Sequence, residues 1–254
     1  MSFEVSGDAY DRFMGRYSRV LAPVFADFAG IGAGERVVDV GCGSGVLTEE
    51  LARRVGAHNV AGADPSAMLA AAAERVPGAD LRAAAAESLP WPDGTFDAAL
   101  AQLVVHFMSD PAQGLREMAR VTRRGGIVAA CTWDFAHGGM ELLRTYWQSV
   151  RALVPQADAE TSPLGDYDNL ERLWRDGALA DVEGGPLDVE ARYRDFDELW
   201  ESFRGGVGPA GQYLLSLPPE TQDAVRDEYR RRLGNPAGPF TLKARAWAVR
   251  GRVG

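Results

Sequence analysis

The chain has 254 residues, 46% hydrophobic and 25% charged, a composition that fits a soluble globular protein long enough to bury a substantial core. Lys and Arg number 27 against 36 Asp and Glu, and the net charge of −9 argues against nucleic-acid or membrane-surface partners. Two cysteines, Cys42 and Cys131, fall on strands that a third strand keeps apart, too far for a disulfide, which fits a cytoplasmic protein.

The N-terminus, MSFEVSGDAYDRFMGRYSRV, has acids early and no apolar core, so it does not read as a signal peptide. No apolar run is long enough to span a bilayer. From Tyr10 to Ala29 apolar residues recur at helical spacing, and Pro23 predicts a break between two helices. GERVVDVG reads as a buried strand, because Val37, Val38 and Val40 are β-branched and glycine bounds both sides. A helix follows, with Val46, Leu47, Leu51 and Val55 on one face and Gly56 at its end. NVAGADPS gives a second strand and AMLAAAAERV a helix that Pro77-Gly78 stops. ADLRAAAAE is a weak third strand, TFDAALAQLVV a fourth, PAQGLREMARVTR a proline-opened helix, and GIVAACTW a fifth strand.

Strands alternating with helices of this length imply βαβ units, hence an α/β fold with a parallel sheet and helices on both faces. After Trp133 the rhythm changes. Residues 134–178 read as an aromatic-rich helical insertion carrying Tyr146, Trp147, Tyr167 and Trp174. Beneath it an apolar or planar acceptor would fit, although these rings equally suit the insertion's own core. LADVEGGPLDVEARYRDF alternates like a strand, DELWESF is a short helix, YRRRL suits a solvated helix face, and FTLKARAWAVRG is a final strand. The whole, residues 1–254, is expected to be one domain.

The stretch VVDVGCGSG is the chemical signal. A strand running through a glycine turn into a helix places free N–H groups and the positive helix end beside a ligand. Gly41, Gly43 and Gly45 give G-x-G-x-G; a dinucleotide fingerprint wants its third glycine or alanine at position 46, which is Val46. No lysine follows to make a P-loop. Asp64, at the end of the second strand, suits a grip on ribose hydroxyls, though it also suits a helix cap.

Taken together, VVDVGCGSG, GADPSAMLAAA, AAESLPWPDGTFDAALAQLVVHF and LREMARVTRRGGIVAACTW resemble the successive motifs of class I S-adenosylmethionine-dependent methyltransferases. The similarity is to the small-molecule group of ubiquinone/menaquinone-biosynthesis type and covers about Tyr10 to Trp133. The resemblance implies a Rossmann-like sheet of seven strands, mostly parallel, the last antiparallel. It also implies a cover over the cofactor from N-terminal helices in residues 1–30; the aromatics Trp133, Tyr146, Trp147, Tyr167 and Trp174 themselves suggest that residues 134–178 form a helical lid over the substrate pocket. S-adenosylmethionine is the implied cofactor, with S-adenosylhomocysteine as product; no metal is expected, because no clustered set of acids follows strands four and five apart from Asp134.

By the same resemblance Asp39, Gly41, Gly43 and Gly45 flank the methionine and ribose portion, Asp64 takes the ribose hydroxyls, and Met68 packs on the adenine. Ala86 and Glu87 match the adenine edge, Gln102 the methionine end of strand four. Arg16 is implied as a carboxylate partner, and Tyr10 as a lesser one. Family members often carry Asp one residue before the Ala-Glu pair; here that position is Ala85, which leaves the adenine to backbone or to Glu87.

Methyl transfer is an in-line displacement in which alignment supplies most of the acceleration. Where the acceptor is a hydroxyl or a protonated amine, a base helps, and His106 after strand four is the candidate; His58 and His137 are less well placed. A base-modifying nucleic-acid enzyme would carry Asn/Asp-Pro-Pro-aromatic where this chain has AQLVVHFM. The expected activity is transfer to an O, N or C atom of a small molecule by a monomer or homodimer, the alternative being a non-catalytic cofactor-binding regulator or scaffold.

Overall fold

The computed structural model describes residues 11–254 apart from residue 160. Helix α1, Arg16–Ala29, follows a π-helical turn and runs through Pro23 without a break. Its interior proline costs about 3 kcal/mol. Buried Tyr17, Leu21, Ala22, Phe25, Ala26 and Ala29 form one continuous face across it, and that burial keeps the two halves collinear. Arg54 adds a hydrogen bond of 2.9 Å to the Pro23 carbonyl.

The sheet comprises β1 Val37–Val40, β2 Val60–Ala63, β3 Asp80–Arg82, β4 Phe96–Gln102, β5 Thr122–Trp133, β6 Ala180–Tyr193 and β7 Phe240–Arg252, in the spatial order β3-β2-β1-β4-β5-β7-β6. β1, β2, β3, β4 and β5 pair in parallel, while β7 is antiparallel to both β5 and β6, as the seven-stranded expectation required. Strands buried on both faces read as near-continuous apolar runs. Alternate residues of β4 accordingly enter opposite cores: Ala98 and Leu100 one, Ala99 and Ala101 the other.

Helix α2, Val46–Val55, joins β1 to β2, and α3, Leu69–Arg75, joins β2 to β3. Helix α4, Pro111–Val121, joins β4 to β5; Asp110 caps it by accepting from Gln113 N, and Pro111 sits where no N–H is needed. β3 is only three residues long. β4 stops at Gln102, since Leu103 takes a positive φ of 60° that no strand continues.

Residues 134–178 do not form one layer. Helix α5, Glu141–Leu153, joins the core that also holds α1 and α2, whereas α6, Tyr167–Asp176, lies in the opposite core against α4. Helices α7 (Phe196–Arg204), α8 (Gly208–Ser216) and α9 (Pro219–Arg232) complete the α5 side. The aromatic side chains of this half have partners of their own. Tyr146 stacks on Phe203 at 4.5 Å and donates to the Ala210 carbonyl at 3.0 Å, and Trp174 Nε1 donates to the Val128 carbonyl at 3.0 Å. No helix among the described residues is long and apolar enough to cross a membrane.

Candidate active site

A cleft of about 1050 Å³ opens at the carboxyl ends of β1, β2 and β4. That is where β1 lies between β2 and β4, the point at which connections leave the sheet in opposite directions and ligands bind in open α/β folds. Its volume is at the upper end of the roughly 300–1,000 Å³ of small-molecule sites.

The glycine loop builds one wall. Gly41 has φ +73°, and a Cβ there would come within 2.3 Å of a Val104 methyl. Gly45 has φ +83°, caps α2, and would set a Cβ 2.9 Å from the Ala72 backbone. Only glycine fits both places. The N–H groups of Gly41 and Cys42 bond the Ala63 carbonyl, and Gly43 N–H donates to Asp64 Oδ2 at 2.8 Å. The other Asp64 oxygen accepts from Ser66 N at 2.8 Å and Ser66 Oγ at 2.5 Å, which fixes the carboxylate at the cavity wall. Half-buried Met68 lies beside it, its terminal methyl 3.7 Å from where a Cβ on Gly43 would sit.

Asp39 stands behind the loop with 1% of its surface exposed. Oδ2 accepts from Thr48 Oγ1 at 2.7 Å, and Oδ1 has no hydrogen-bond partner. Burial pushes its carboxyl up to about 7, against the Thr48 hydrogen bond and with the help of the Asp64 charge. Gln102 faces the same cavity; its Nε2 donates to the Ser18 carbonyl of α1 at 3.2 Å, and its buried Oε1 also lacks a partner. Buried acceptors without donors are rare in finished cores, and two on one cavity wall mark a place for donor groups of a ligand.

On the adenine-edge side, Ala85, Ala86 and Glu87 line the cleft. Glu87 Oε1 accepts from Ser109 N at 2.7 Å and Asp110 N at 3.2 Å, so its carboxylate ties down the loop after β4. The cleft thus gathers Asp39, Gly41, Gly43, Asp64, Met68, Ala86, Glu87 and Gln102, with Gly45 in the same loop. Its described lining includes four carboxylates and no cationic side chain.

Arg16 is elsewhere. It donates to Glu198 Oε1 at 2.7 Å and to the Arg192 carbonyl, with its guanidinium 4.4 Å over the Tyr193 ring. The end of β6 and the start of α7 therefore satisfy this side chain, and from α1 it is Ser18 that reaches the cleft. Tyr10 lies outside the described residues. His106 occupies the short turn Val105–Phe107 next to the lining, its Nδ1 3.1 Å from Thr132 Oγ1 and its ring 5.6 Å from Phe135. Burial lowers it to about 4, so it is neutral at neutral pH. His58 and His137 are exposed, and none of the described residues among 134–178 lines the cleft. No group of three or more metal-ligating side chains occurs among the described residues. Sequence reasoning missed Thr48, Ser66 and Ser18; the two-residue offset of Ser66 from Asp64 was the one local signal available.

Residues 38–130 match the methyltransferase domain family. A demethylmenaquinone methyltransferase from Mycolicibacterium paratuberculosis is 38% identical over 185 residues, covering 70% of this chain and 75% of that one. Among solved structures, a type II methyltransferase candidate from Anaeromyxobacter dehalogenans aligns over 92% of this chain and 96% of its own, with TM-score 0.66 and 22% identity. The geranyl diphosphate C-methyltransferase of Streptomyces coelicolor, solved with Mg2+, geranyl diphosphate and S-adenosyl-L-homocysteine, aligns over 92% and 77%, with TM-score 0.51 and 17% identity. These last two carry the likeness of fold, and the Mycolicibacterium relative carries the likeness of sequence. The chain belongs to the class I S-adenosylmethionine-dependent methyltransferases, in the group similar to the ubiquinone/menaquinone-biosynthesis enzymes.

Proposed function

We propose that this enzyme takes its methyl group from S-adenosylmethionine and gives it to an O, N or C atom of a small molecule that carries no phosphate or carboxylate. The observation that carries the reading is the pair of buried, donorless oxygens, Asp39 Oδ1 and Gln102 Oε1, on the wall of a cleft built around the glycine loop. Such acceptors suit the amino-acid end of the cofactor. Asp64, already fixed by Gly43 and Ser66, keeps lone pairs for ribose hydroxyls. Met68 offers an apolar surface to the adenine, and Ala86 with the adjoining backbone offers its edge, because Glu87 is engaged by the loop after β4. Bound here, the cofactor supplies an electrophilic methyl that leaves sulfur as an acceptor lone pair arrives in line.

The chain's own part is alignment, which can supply about 7–11 kcal/mol of a bimolecular barrier. Ser18 and Gln102 join α1 to the end of β4 and make α1 the cover of the cofactor side. A described lining without cations disfavours acceptors that carry phosphate or carboxylate. His106, with so acidic a conjugate acid, is a weak base, and we assign it to orienting groups beside the cleft through its Thr132 contact. The acidic surface and two buried free thiols support a cytoplasmic enzyme with no nucleic-acid partner.

Calorimetry with S-adenosylhomocysteine tests the cofactor assignment. Wild type is expected to bind, and Asp64→Ala to bind at least about tenfold more weakly, since a charge-assisted hydrogen-bond site is lost. Failure of the wild type to bind would overturn the reading.

A further inference from the structure

A second opening, of about 400 Å³, lies beyond β5 in the sheet order, between the first half of α5, the end of α9 and the start of β7. It shares no described lining residue with the methyl-donor cleft, and its volume falls within the roughly 300–1,000 Å³ of small-molecule sites. Glu141, Arg144, Thr145 and Gln148 reach it from one face of α5, since residues three, four and seven positions apart share a helix face. Helix α9 adds Arg232, and β7 adds Thr241 and the half-buried Phe240, whose ring stacks on Tyr193 at 5.5 Å.

The polar groups around this opening are under-used. Thr145 is 7% exposed, yet its hydroxyl bonds to no group among the described residues, and the same holds for the Thr241 hydroxyl and the Gln148 carboxamide. Arg144 spends one terminal nitrogen on the Gly138 carbonyl at 3.2 Å and has no carboxylate within ion-pair distance among the described residues. Glu141, three positions before it, accepts instead from the Lys243 main-chain N–H at 2.9 Å. Arg232 gives its Nε to Glu228 Oε1 at 2.7 Å, which leaves its terminal nitrogens. Two guanidiniums against one carboxylate make this lining positive, the reverse of the carboxylate-lined cleft. A buried hydroxyl without a partner, beside planar forks of charged donors, is an arrangement that an oxyanion completes. We propose that this pocket binds a small oxyanion, a carboxylate or phosphate group carried on a compact apolar body. Arg144, Arg232 and Thr145 hold the charged head, and Phe240 faces the body. The site stands apart from the cofactor reading above: it uses other residues and the opposite charge.

The test is calorimetric titration of the wild type, at neutral pH and low ionic strength, with phenyl phosphate and with benzoate. Saturable binding of one molecule per chain is expected, and the two probes tell a phosphate site from a carboxylate site. Arg144→Gln should weaken that binding by about tenfold or more, and Thr145→Val by about threefold, as a charged and a neutral hydrogen bond are lost. Glu141→Gln should tighten it by about twofold or more, because a like charge is removed from the wall. S-adenosylhomocysteine is expected to bind all three variants as it binds the wild type, and to bind equally with the probe present. Should Thr145→Val fail to fold, Arg144→Gln, at an exposed position, decides by itself. The inference is overturned if neither probe binds, if Arg144→Gln leaves binding unchanged (an adventitious ion only), or if Glu141→Gln weakens it. Displacement of the probe by S-adenosylhomocysteine overturns it too, whereas failure of S-adenosylhomocysteine to bind overturns only the cofactor reading.

Discussion

The two halves of this molecule spend their polar groups differently. Around the carboxyl ends of β1, β2 and β4, main-chain amides converge on Asp64 while Asp39 and Gln102 keep oxygens unpaired. In the half built from α5, α7, α8 and α9, buried phenols find internal acceptors: Tyr146 the Ala210 carbonyl and Tyr229 the Leu142 carbonyl at 3.1 Å. Aromatic richness therefore marks packing here, where one buried donor, Trp147 Nε1, is left without a partner, and unpaired acceptor oxygens facing open volume mark the candidate site. A ring cluster becomes a ligand cage only if its members face open volume, and these rings face one another.

If that contrast is sound, a lesion in the aromatic half should cost stability and spare binding. Phe203 is fully buried, stacked on Tyr146 and edge-on to Phe13 at 4.9 Å. Phe203→Ala is expected to lower unfolding free energy by about 3–5 kcal/mol in urea titrations, while the folded fraction keeps its affinity for S-adenosylhomocysteine. A matching loss of affinity would join the two halves functionally. Gly41→Ala tests the other half. Its positive φ costs about 1–2 kcal/mol for a residue with a Cβ, and the stiff Val104 side chain must move. The expected outcome is a smaller loss of stability with at least about tenfold weaker ligand binding, read by calorimetry. The smallest effect concerns His106, at the seam between the halves, where Thr132 and Phe135 meet the turn after β4. Its ring protons should titrate near about 4 by NMR; a midpoint near 6.5 would restore it as a general base.

The elements that bear the site were legible because their signals are local. Three glycines at alternate positions, a valine-rich strand before them and an aspartate closing the next strand each act within a few residues of one another. Asp39 and Asp64, both singled out in the sequence, stand on the cavity wall, and the seven-stranded, mostly parallel sheet with an antiparallel last strand followed once the motifs were recognised as a set, whereas the strand order did not. What sequence reasoning could not supply depends on contacts across the fold. Arg16 is claimed by Glu198, 182 positions away, which no spacing rule anticipates. Pro23 suggested a break because local propensity says so, yet burial of one continuous face outweighed it. The division of residues 134–178 between two sides of the sheet was equally hidden, since periodicity tells that a helix has an apolar face and not what that face meets.

The parallel pairing of β1 with β4 has a consequence for the order of events during synthesis. Residues 39 and 102 share a cavity wall only once the intervening α2, β2, α3 and β3 have emerged and β4 has closed on β1. Before that, the glycine loop exists as chain but has no opposing wall, and a truncated product ending ahead of β4 offers the donor no pocket. A ligand held between these two walls thus reports completion of a long-range pairing and can stabilise only chains that have already committed to the sheet.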